Sequence, residues 1–179
     1  VAPGDAPNVG EPLVSHPGVD KVAFTGSTAT GIKVAQSAAS HLAPVMLELG
    51  GKSPQIVFED ADLDAAAAGI AGGIFGSSGQ SCTAGSRLFV HRDVADDLRA
   101  RVVEAATALR LGDPLDETTA MGPLSFETQM NRVLGFVERS RAAGAEVLTG
   151  GVRSDRPDLA DGFFVEPTIL DRCLLYTSD

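Results

Sequence analysis

Short apolar runs alternate with amphipathic or alanine-rich stretches along this chain, and glycine or proline marks most of the changeovers. The runs KVAFTG, VMLEL, PQIVF, SRLFVH, AEVLTGG and GFFVEPTIL are too short for stable helices, and each reads as a strand. Between them, TATGIKVAQSAASHLA, EDADLDAAAAGIAGGIF, RDVADDLRARVVEAATAL and SFETQMNRVLGFVERSRAAG read as helices. The acidic start of the second suits a helix N-terminus. Strands that alternate with helices need crossover connections, so the fold class is α/β with largely parallel pairing. The opening stretch, VAPGDAPNVGEPLVSHPGVD, is rich in proline and glycine and holds a short helix around Val9–Ser15. LGDPLDETTAMGPL reads as a long connection, and the double glycine at Gly50 is the natural place for a domain boundary.

Composition narrows the possible partners. The chain has 179 residues, 44% of them hydrophobic, enough for one domain or parts of two and for a core without staples. Two cysteines cannot make a disulfide framework, which points to a reducing, cytoplasmic setting. No apolar run reaches the roughly 18 residues that a membrane helix needs. A net charge of −10, scattered basic residues, one Tyr and no Trp argue against a nucleic-acid surface.

Three stretches carry candidate chemistry. VAFTGSTATG passes from strand to helix, where free amides attract an anion and Gly26 allows close approach. Neither G-x-G-x-x-G nor a P-loop fits, because IKV follows Gly31. A phosphate-holding turn and an ordinary capped turn both remain open. In VMLELGGKSP, Glu48 is either a general base raised by burial or a strand residue on a wet face. In FGSSGQSCTAG, small neighbours leave space and backbone donors around Cys82. That suits a nucleophilic thiol, although a free cysteine also serves as a small buried side chain. His16, His41 and His91 stand isolated in the sequence, and nothing places any of them beside Cys82. No second cysteine or histidine stands at metal-ligand spacing, so no metal site is expected.

Taken together, these stretches resemble the aldehyde dehydrogenase superfamily. LELGGKSP is similar to its glutamate signature, FGSSGQSC to its cysteine signature F-x-x-x-G-Q-x-C, and FTGSTATG to its cofactor turn. Glu48 and Cys82 stand 34 positions apart, the separation usual in that family. LGDPLD, MGPL and GFFVEPTIL follow in the family's order, so the resemblance covers Val1 to Leu170. It implies that Cys82 attacks a small-molecule aldehyde to give a thiohemiacetal and then a thioester. Glu48 would be the general base that activates water for thioester hydrolysis. Gly26 and Ser27 would face the pyrophosphate of NAD or NADP, with Leu49 and Gly50 near the nicotinamide. Gln80 would shape the loop rather than perform chemistry.

The same resemblance implies a central fragment of a longer, non-acylating enzyme. Residues 1–49 would end a Rossmann-like cofactor domain, residues 50–170 would form an incomplete α/β catalytic domain, and 171–179 would be a non-native tail. The family's oxyanion-hole asparagine and its downstream glutamate motif do not occur here. The parent would be a homo-dimer or homo-tetramer. Two alternatives stay open. One is an acylating relative that passes the acyl group to coenzyme A, which the intact LELGGK opposes. The other is a non-catalytic fragment acting as an interaction module.

Overall fold

Glycine and proline stop the apolar runs close to the positions expected. The computed structural model describes residues 1–172, and two units can be distinguished within the chain, Val1–Gly51 and the residues from Lys52 onward. The first unit starts with a π-helical turn, Ala6–Gly10, and a short helix α1, Glu11–Ser15. Strand β1, Val22–Thr25, then crosses through helix α2, Thr28–Ala39, to strand β2, Val45–Glu48. The strands pair in parallel, from Val22 opposite Val45 to Thr25 opposite Glu48. Val22, Ala38 and Ala43 form the core of this unit, with Val14, Val34 and Val45 against them. Small side chains on α2 let it lie close to the strands; the helix ends at Ala39, and Leu42 in the turn after it takes φ of 62°.

The second unit repeats the crossover with larger parts. Strand β3, Pro54–Val57, passes through helix α3, Leu63–Phe75, to strand β4, Arg87–Val90, again in parallel. Asp62 caps α3 by accepting from the Asp64 and Ala65 amides at 3.1 Å each, as the acidic run suggests. Helix α4, Ala95–Thr107, follows and packs on α3, with Ile70, Leu98 and Val102 buried between them and Val57 beneath. Helix α5, Glu127–Ala142, leads to strand β5, Glu146–Thr149, which pairs with β6, Ile169–Asp171.

The largely parallel pairing expected of the fold class is present, and one detail departs from the sequence expectation. The pairing is parallel in β1–β2 and β3–β4 but antiparallel in β5–β6. The run GFFVEPTIL is a strand only at its end. Pro167 has no N–H to donate to a ladder, and its carbonyl passes so close to Gly150 that a Cβ there would stand 2.3 Å away. Upstream of the proline, the Glu166 and Ser154 amides make separate bonds to Val152 and Phe164 instead. Asp171, which the domain reading assigned to a tail, closes β6 and accepts from Arg99 at 3.0 Å. Cys173 and the rest of that tail lie outside the described residues.

Candidate active site

In the first unit the candidate residues converge at the carboxyl ends of the two parallel strands. This is where open α/β sheets bind ligands. Glu48 is the last residue of β2, exposed, and paired in register with Thr25. Its backbone carbonyl accepts from the Gly26 amide at 3.0 Å, which ties the end of β2 to the turn after β1. That bond uses the Gly26 N–H, so Gly26 contributes an absent side chain rather than a free donor. A Cβ there would come within 2.6 Å of the Phe24 ring.

Ser27 is the N-cap of α2. Its hydroxyl accepts from the Thr30 amide at 3.2 Å and bonds the Thr30 hydroxyl at 2.9 Å. The amides of Thr28 and Ala29 find no acceptor among the described residues, and both residues are exposed. An anion placed there would meet two unpaired donors and the positive end of a 12-residue helix. Leu49 folds onto the first turn of this helix, where a Cβ on Gly31 would meet its Cδ2 at 2.6 Å. Gly50 has open space where a side chain would project. Glu48, Gly26, Ser27, Leu49 and Gly50 therefore share one end of the β1–β2 pair, beside a helix start with two amides open to an anion.

Cys82 belongs to the second unit and is exposed. It lies in the connection from α3 to β4, and the cause of its exposure is local. Glycine ends α3 at Phe75, and Gly76–Gly79 form a tight turn in which Ser77 and Ser78 take φ of 50° and 55°. Such left-handed residues cost on the order of 1–2 kcal/mol each, so the turn needs support. Beyond Cys82 the loop is anchored by Gly85, whose amide donates to the Gly73 carbonyl at 3.0 Å. The Gly85 carbonyl accepts from Gln55 Nε2 on β3 at 2.8 Å. A Cβ on Gly85 would overlap the Gln55 side chain at 2.3–2.6 Å, so a larger residue there would have to push Gln55 aside. The Cys82 amide itself has no acceptor among the described residues. It is available to a developing oxyanion, as backbone donors in acyl-transfer sites must be.

Sequence reasoning singled out Gln80 as shaping the loop but missed the distant partners, Gly122 and Ser125, that hold it. Ser78 Oγ donates to the Gly122 carbonyl at 2.8 Å, and Gln80 Oε1 accepts from both the amide and the hydroxyl of Ser125 at 2.9 Å. The long connection delivers those partners. Arg110 and Met121 close it through backbone bonds, and Arg110 pairs with Asp116 at 3.0 Å inside it. Hydrogen bonds from the Thr118 hydroxyl and amide, with the nearby Arg110 charge, hold the Asp116 carboxyl below its ordinary range. His91, the histidine of this unit, lies 3.8 Å from Glu59 and from Asp93. Among the described residues no group of three or more His, Cys, Asp or Glu could hold a metal ion. Nor is any helix there long and apolar enough to cross a membrane.

Comparison with known proteins supplies a context for these residues. The profile of the aldehyde dehydrogenase family matches residues 1–174. Aminoaldehyde dehydrogenase 2, a peroxisomal protein of Pisum sativum, is 48% identical over 167 residues, which are 93% of this chain and 33% of that protein. The chloroplastic betaine aldehyde dehydrogenase of Amaranthus hypochondriacus is also 48% identical over 167 residues, with the same coverage. PnpE from Pseudomonas sp. WBC-3, whose structure is known in complex with nicotinamide adenine dinucleotide, superposes with a TM-score of 0.92 at 46% identity. That match covers 94% of this chain and 34% of PnpE. The chain thus spans about a third of the length of the relatives it matches.

Proposed function

The chain belongs to the aldehyde dehydrogenase family, and from that premise we propose that it is the central part of an enzyme that oxidises an aldehyde to a carboxylic acid with NAD or NADP. The exposed Cys82, on a loop anchored on either side of it and with its own amide unpaired, is the observation that carries this reading. Residues 1–49 then end a cofactor domain and residues 50–170 belong to a catalytic domain. The division of the chain after Gly51 supports that assignment.

In the proposed reaction the Cys82 thiolate adds to the aldehyde carbon, and the Cys82 amide donates to the oxygen that becomes negative. The cofactor, when bound, supplies the hydride acceptor that converts the resulting thiohemiacetal into a thioester. Gly26, Ser27 and the start of α2 would hold its phosphates, with Leu49 and Gly50 beside its nicotinamide; the free Thr28 and Ala29 amides support this. Glu48 takes a proton from a water molecule that attacks the thioester carbon, releasing the acid and restoring the thiol. Covalent capture divides one difficult oxidation into two easier steps.

The named relatives make aminoaldehydes and betaine aldehyde the first substrates to assay. A full-length enzyme of this family would assemble as a dimer or tetramer. A reducing compartment, the cytoplasm or an organelle such as those of the named relatives, suits a catalytic thiol. The test is Cys82→Ser in the full-length enzyme that carries this segment. Dehydrogenase turnover should be abolished, and turnover at the parental rate would overturn the nucleophile assignment.

A further inference from the structure

The turn before Cys82 has a backbone that its own residues do not favour. Ser77 and Ser78 are adjacent and both left-handed, at φ 50° and 55°. Serine rarely takes that conformation, and two in succession persist only where neighbouring structure over-determines them. The support comes from the segment Gly122–Ser125. Ser78 Oγ is bonded to the Gly122 carbonyl at 2.8 Å, which secures the second serine directly. The first is secured through Gln80. Its backbone and side-chain nitrogens both donate to the Ser77 carbonyl, at 3.0 and 3.3 Å, while its Oε1 receives the Ser125 amide and hydroxyl at 2.9 Å each. One side chain therefore links the strained pair to a segment 45 positions away. Cys82 follows two residues later and has no such bond of its own.

We infer that Gln80 and Ser125 form a clasp that sets the position of the Cys82 thiol, with Gln80 acting as a positioning residue rather than a catalytic one. This rests on Cys82 being the nucleophile, as proposed above. The essential property of Gln80 is then its acceptor oxygen. Methionine keeps the length of the side chain and loses that oxygen, together with the Nε2 donor to the Ser77 carbonyl. Ser125→Ala removes one of the two donors and leaves the amide.

The experiment uses the full-length enzyme and follows the first turnover of NAD reduction, with active sites counted from the burst amplitude. Gln80→Met should slow the burst rate per active site roughly 10- to 100-fold, the scale expected when a reacting group is misplaced by about 1 Å. The aldehyde KM should change far less. Ser125→Ala should slow the burst roughly fivefold, the equivalent of one net hydrogen bond. In the Gln80→Met background Ser125→Ala should change nothing further, because its acceptor has already gone. A role confined to folding would lower the burst amplitude and the thermal midpoint but leave the rate per site unchanged, and that outcome would overturn the clasp. So would effects of the two substitutions that simply multiply. If Gln80→Met does not fold, Ser125→Ala alone decides, since it deletes only an exposed hydroxyl. Cys82→Ser separates the two levels. An inactive Cys82→Ser with a parental rate in Gln80→Met removes the clasp alone, whereas an active Cys82→Ser removes the nucleophile on which it rests.

Discussion

Gly85 shows how closely the cysteine loop is fitted to its neighbours. Its carbonyl receives Gln55 Nε2, and the space a Cβ would need is filled by the same side chain. Gly85→Ala must therefore displace Gln55 and break the bond, an overpacking cost of about 1–3 kcal/mol. The expected result in the full-length enzyme is a lower unfolding midpoint in denaturant together with a slower burst. Glu48 makes a different prediction, because its proposed work comes after the first hydride has left. Glu48→Gln should leave the first burst intact and slow steady turnover, by about 10²- to 10⁴-fold for loss of a general base. Stopped-flow measurement of NADH separates the two phases, and equal loss of both would argue against a role confined to hydrolysis. At this scale the sequence was only partly legible. The small residues around Cys82 correctly signal an exposed thiol. Nothing in the spacing of Gln80 and Ser125 shows that they meet, because contacts 45 positions apart leave no periodic trace.

Strand and helix positions were much easier to read, for a physical reason. The runs around β1–β4 are short, apolar and bounded by glycine, proline or a capping residue, so local preference and tertiary pairing agree. The exception is GFFVEPTIL, where Pro167 withholds a donor and the strand is postponed to Ile169. The helix starts carry their own predictions. Ser27→Ala removes the cap of α2 and should cost about 1 kcal/mol. It should also raise the KM for NAD more than it lowers kcat, since the same helix start is proposed to hold the phosphates. Leu98 on α4 is fully buried among α3 residues, and Leu98→Ala should destabilise the enzyme by about 2–5 kcal/mol in equilibrium unfolding. In the long connection, the depressed Asp116 carboxyl sets a pH window. Its folded value lies below its unfolded one, so its contribution is complete above the ordinary carboxylate range and is lost as pH falls through the folded value. Thr118→Val removes the hydroxyl that contributes most. A carboxyl NMR titration should then find Asp116 moved up towards its ordinary range.

For the whole molecule, the exposed apolar surface matters most. Parallel strands are normally covered on both faces, yet Ile56 and Phe58 are 63% and 62% exposed and Phe89 is 43% exposed. A chain spanning about a third of its relatives' length, with strands left open in this way, should not work in isolation. The isolated 179-residue chain is expected to show no NAD-dependent aldehyde oxidation and to self-associate in light scattering. Measurable turnover by a monodisperse sample would contradict that. The assignment of roles also belongs to this scale. Glu48 and Cys82 lie in different units, and only the family context joins them in one reaction. The most direct test is mass spectrometry of the full-length Glu48→Gln enzyme, acid-quenched after mixing with aldehyde and NAD. An acyl group, of the mass set by the aldehyde used, is expected on the peptide that contains Cys82. NADH formed with that peptide unmodified would contradict it.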